Sequence, residues 1–149
     1  MCCYGKLKLT QDFLKKNRRR KTIEVYKLVQ KYDVRTYSYT FVRTRLNGIY
    51  RSSFEYKPGI IKSRTEKKII TKDEEIKNGI HVWLSFSSAK GHQRQTACGY
   101  KIIKLTADVS DLIGVGLFDS ERRKDNAVFK KVYLSQREYD KALGKKVKK

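Results

Sequence analysis

Strict alternation of apolar and polar residues restricts the fold of this chain more than any other feature. In residues 80–86, Ile80, Val82, Leu84 and Phe86 fall on one side of an extended chain, with His81, Trp83 and Ser85 on the other. Residues 22–30 repeat the pattern, setting Ile23, Val25 and Val29 against Glu24, Tyr26 and Leu28. In residues 37–45, Tyr37, Tyr39, Phe41, Arg43 and Arg45 share one side, and Ser38, Thr40, Val42 and Thr44 take the other. Residues 100–109 and 127–134 are rich in β-branched and aromatic side chains in the same rhythm. Successive side chains of a strand point to opposite faces, so a period of two marks a half-buried strand. Five strands are expected, with a sixth over residues 49–56.

Helix signals are fewer. Ser135-x-x-Glu138 is a capping-box pattern that opens a helix over 136–143, ended by Gly144, with Lys141 suited to the negative end of its dipole. Thr71-x-x-Glu74 has the same form and predicts a turn or two of helix closed by Gly79. Two further short helices are expected over 6–15 and 88–95. No repeat or proline-rich linker divides the chain, and charge runs at 15–21, 120–126 and 145–149 mark its loops. The expectation is one α+β domain over 1–149, with a mostly antiparallel sheet of five or six strands and two to four short helices. Residues 1–21 would form a basic N-terminal arm and 145–149 a basic tail.

Charge narrows the function. Leu, Ile, Val and Phe fill 38 of 149 positions, which is enough for a core. Yet 36 Lys and Arg against 15 Asp and Glu leave a net charge of +21. Self-repulsion on that scale opposes compaction unless an anionic partner screens it. The surplus is uneven: residues 1–50 hold 13 basic and 3 acidic groups, the largest excess of any third of the chain. Three cysteines, Cys2, Cys3 and Cys98, have no disulfide-framework spacing, so reduced thiols in the cytosol or nucleus are expected. No apolar run approaches the roughly 18 residues of a membrane span, and no secretory signal core is visible.

The densest candidate site is the run Lys15, Lys16, Arg18, Arg19, Arg20 and Lys21. Phosphates call for donors with full positive charge, and arginine offers a planar fork that grips one phosphate through two bonds. The same run would also serve as a solvated arm or a nuclear-import address. Arg43, Arg45 and Arg51 are secondary candidates because they interleave with aromatic residues: Tyr37, Tyr39 and Phe41 before them, and Tyr50, Phe54 and Tyr56 around and after them, with Lys57 following. Exposed rings stack on bases while cations follow the phosphates. Equally, such rings could be half of a hydrophobic core.

Other chemistry is poorly supported. His81, His92, Cys98, Cys2 and Cys3 lack the paired spacing of a zinc site. Glu55-Tyr56-Lys57, with Asp33 upstream, has the carboxylate-x-lysine form of a Mg-dependent nuclease half-site, but Glu66-Lys67-Lys68 fits as well. Gly48-Ile49-Tyr50 resembles one half of a GIY-YIG nuclease motif, without the Tyr-Ile-Gly half. Gly114-Val115-Gly116 lacks the continuation of a phosphate loop. Asp108, Asp111, Asp119, Glu121 and Asp125 lie among Arg122, Arg123 and Lys124, which suggests a salt-bridged surface loop.

Two segments carry a resemblance. Gly79-Ile80-His81-Val82-Trp83-Leu84-Ser85 with Ala89, and Ala127-Val128-Phe129-Lys130-Lys131-Val132-Tyr133-Leu134-Ser135 after Asp111-Leu112-Ile113, resemble a loose group of small basic proteins of large DNA viruses and phages. The resemblance covers the second half of the chain and carries no catalytic residues. It implies a viral setting, in the virion or beside the genome. The expectation is therefore a non-catalytic viral protein that binds a polyanion, nucleic acid first, with no cofactor. A minor structural role against acidic capsid subunits is the alternative, and a Mg-dependent nuclease a second one.

Overall fold

Strand β2 (Thr22–Arg35) is the spine of the sheet. From Thr22 to Gln30 it pairs antiparallel with β7 (Tyr100–Asp108), another stretch dense in β-branched residues. Its other edge is shared. Tyr26 meets Trp83 of β6 (Ile80–Trp83), and Val29 to Arg35 pair with β3 (Val42–Gly48). The computed structural model describes residues 3–35, 42–48, 56–95, 100–118 and 123–144 of the chain.

Beyond β6 the sheet continues through β9 (Arg123–Phe129), β8 (Leu112–Phe118), β1 (Cys3–Gly5) and β5 (Glu74–Ile76). Beyond β7 it ends with β10 (Lys131–Leu134) and β4 (Gly59–Lys62). Each of these pairings is antiparallel. The described residues thus form an α+β structure around one open sheet of ten strands, nine in a continuous path and β3 branching from β2.

Three helices dress the sheet. Helix α1 (Leu7–Lys16) turns Leu9, Phe13 and Leu14 towards the main core, the i, i+4 seam of an amphipathic helix. Helix α2 (Phe86–Gln95) sets Ala89 against Trp83, Tyr26 and Ile102. Helix α3 (Gln136–Ala142) adds Tyr139 and Ala142 to the main core. That core holds Val25, Val29, Ile103, Leu105, Phe129 and Leu134, each at most 1% exposed. A smaller cluster of Cys3, Ile70, Ile76, Ile113 and Val128 sits where β1, β5, β8 and β9 meet.

Several expectations need correction. Among the described residues there are ten strands rather than five or six: β1, β4 and β5 have three or four residues each, too few to display a period, and the seven-residue β8 carries Gly114 and Gly116 in place of an alternating pattern. The stretch 127–134 is two strands broken at Lys130, not one. Strand β6 stops at Trp83, and Phe86 begins α2 instead of ending a strand. The capping pattern at Thr71 opens no helix: Glu74–Ile76 is β5, paired with Cys3–Gly5 of β1, so sheet pairing overrides a local signal. Residues 3–21 are no free arm, since β1 lies inside the sheet and α1 packs on the core. The expected strand over 49–56 and the tail 145–149 fall outside the described residues, Tyr56 excepted.

Candidate polyanion-binding corner and groove

The basic run folds as the last turn of α1, a tight turn, and the first residues before β2. Lys15, Lys16, Arg18, Arg19, Arg20 and Lys21 are all exposed there. Asn17, the one residue of the run without charge, is 7% exposed and holds the corner together. Its side-chain Nδ2 donates to the Phe13 carbonyl at 2.9 Å, its backbone N–H donates to the same oxygen at 3.0 Å, and its own carbonyl accepts from the Arg20 N–H at 2.9 Å. These bonds satisfy groups that a helix end otherwise leaves open. Further along, the Val109 N–H donates to the Lys21 carbonyl at 3.0 Å.

Thr10 anchors the helix from below. It is 1% exposed, donates its hydroxyl to the Lys6 carbonyl at 2.9 Å, and accepts from the Val115 N–H at 3.0 Å. The six cations therefore project from a corner fixed at both ends. Among the described residues none of the six forms a salt bridge. Lys21 does lie near Asp108, whose carboxyl is held below the usual carboxylate range chiefly by the Ser110 hydroxyl and N–H, with Lys21 and Lys131 adding to the effect.

Below the corner opens a groove of about 910 Å³. Lys16, Arg20, Tyr26, Phe86, Ser85 and Asp125 are among the residues that line it. The two rings meet edge to face, with centroids 5.7 Å apart, and Phe86 is 52% exposed. Asp125 Oδ2 accepts from the Ser85 hydroxyl at 2.8 Å and from the Ser88 hydroxyl. The Ser88 N–H in turn donates to Ser85 Oγ, which caps the start of α2. Glu24, also on the groove, pairs with Lys104 at 3.6 Å. No family model matches this chain, nor does any curated protein or solved structure.

Of the secondary candidates, the backbone register puts Arg43 and Arg45 on β3 opposite Val34 and Tyr32 of β2. Arg51, and with it Tyr37, Tyr39, Phe41, Tyr50, Phe54 and Glu55, lies outside the described residues. Tyr56 is 3% exposed and belongs to the main core, so that ring is no stacking platform. His81 is half-buried, and its ring nitrogens face the Ile76 carbonyl at 2.9 Å and the Gly79 carbonyl at 3.3 Å. Among the described residues no three His, Cys, Asp or Glu side chains gather as a metal site. No helix there is long and apolar enough to cross a membrane.

Sequence reasoning missed the groove. Asp125 read as part of a salt-bridged loop, yet it stands on β9 and binds two serines of a distant segment. The Ser85-x-x-Ser88 spacing, a helix-capping signal, was the available clue.

Proposed function

We propose that this chain is a non-catalytic binding protein for a polyanion, nucleic acid foremost, and that the α1–β2 corner makes the first contacts. The observation that carries this reading is the corner's construction: six exposed cations on a turn held by Asn17, without salt-bridge partners among the described residues. Charge that is neutralised at home serves no ligand. Charge fixed in place and left unpaired favours phosphate binding and raises encounter rates. The excess of +21 over the whole chain extends the attraction beyond the corner. A viral setting, beside the genome or in the particle, is what the resemblance of residues 79–85 with Ala89 and of residues 127–135 implies, and the cysteine spacing suits a reducing compartment of the host cell.

Neutralising six phosphates releases their counter-ions. The logarithm of the affinity for duplex DNA should then fall with the logarithm of salt concentration at a slope of about −5. Arg18→Glu with Arg19→Glu should weaken binding about tenfold or more and flatten that slope by about 2. Fluorescence anisotropy across a salt series measures both. Affinity that does not change with ionic strength would refute the proposal.

A further inference from the structure

We infer that the groove beneath the basic corner takes one unpaired nucleobase bearing an exocyclic amino group, so that the ligand is a single strand rather than a closed duplex. The inference rests on the polyanion reading and deepens it. Its basis is the set of groups that line the one groove: the cations Lys16 and Arg20, the rings of Tyr26 and Phe86, and the Asp125 carboxylate.

Lys16 and Arg20, exposed cations of the lining, meet phosphate. The lining also holds the Asp125 carboxylate, which repels phosphate, while Glu24 is exposed and already paired with Lys104. Beside Asp125 the groove therefore suits the neutral part of a nucleotide. Phe86 offers a half-exposed ring, braced edge-on by Tyr26, on which a base can stack. A base inside a duplex is already stacked on both sides and paired along its edge, so it cannot enter without unpairing.

Asp125 selects among bases. Its Oδ2 already accepts from Ser85 and Ser88, which fixes the carboxylate, while Oδ1 has no partner among the described residues. A carboxylate accepts and does not donate. Cytosine, adenine and guanine bring an amino group to it, and guanine adds an adjacent ring N–H. Thymine and uracil bring an N–H flanked by two carbonyls, whose lone pairs would face the same oxygens. The volume of about 910 Å³ lies within the range of ligand clefts and leaves room for the sugar.

The test compares ten-residue homopolymers by fluorescence anisotropy on the full chain: deoxycytidine, deoxythymidine, the cytidine ribopolymer, and a closed duplex of mixed sequence. The deoxycytidine strand should bind about tenfold more tightly than the deoxythymidine strand. Phe86→Ala should weaken single-strand binding about tenfold while leaving duplex binding unchanged. Asp125→Asn should abolish the preference for cytosine. The two substitutions check each other, since Phe86 is exposed and its loss leaves the core intact, and circular dichroism confirms folding of both. Tighter binding of the ribo- or deoxyribopolymer names the natural sugar, and either result agrees with the inference. Equal binding of all four ligands, salt-dependent and untouched by Phe86→Ala, would overturn the groove assignment and leave the basic corner standing. Binding of none would overturn both.

Discussion

At Gly116 a side chain has no room. A Cβ placed there would stand 1.9 Å from the Tyr4 carbonyl oxygen of β1, a backbone atom that cannot swing aside. Gly116→Ala should therefore lower stability by about 1–3 kcal/mol, seen as a reduced denaturant midpoint with β1 loosened from β8. An unchanged midpoint would mean that β1 shifts freely. The Gly114-Val115-Gly116 stretch shows how far single residues were legible. Its failure as a phosphate loop was visible from its neighbours in sequence, but its purpose was not, because the strand that presses on it lies 111 residues away, as Gly5↔Gly116 pairing shows. Asn17 was hidden for another reason: among six cations it looked like an interruption, and only its three hydrogen bonds reveal it as the fastener.

Elements followed the sequence where local signals and tertiary pairing agreed. Ser135 behaves as its spacing predicts, accepting the Glu138 N–H at 3.1 Å, and Gly144 at a φ of +79° ends α3. Ser135→Ala should cost about 1 kcal/mol in thermal or chemical unfolding. Ser135→Asp should restore most of that loss, since aspartate caps as well and its charge suits the helix start. Thr71 has the same signal and no helix, because β1 presents an unpaired edge to Glu74–Ile76 and the ladder outweighs one turn of helix. The long strands β2 and β7 were plain in the alternation of their residues. Strands β1, β4 and β5, of three or four residues, were not, since they owe their conformation to neighbours rather than to their own pattern. The groove was illegible for the same reason, being assembled from α1, β2, α2 and β9.

For the whole molecule, the charge of +21 was certain from composition, and its meaning depends on where the fold puts it. Like charges spread over one small body raise the free energy of the compact state, and mobile ions relieve this within a Debye length of about 10 Å at 0.1 M salt. The melting temperature should consequently rise with added sodium chloride, and rise further with a short polyphosphate at equal ionic strength. Scanning calorimetry in matched buffers distinguishes the two effects. A melting temperature that falls with salt would show that attractive pairs, such as Lys67 with Glu74 at 3.0 Å, dominate the balance. The corner between α1 and β2 has a kinetic consequence as well. Asn17 sets the donors out in advance, so chain freedom is lost during folding and not at encounter. Capture of an anion at that turn should run near the diffusion limit, with a small heat-capacity change and no slow phase for loop ordering.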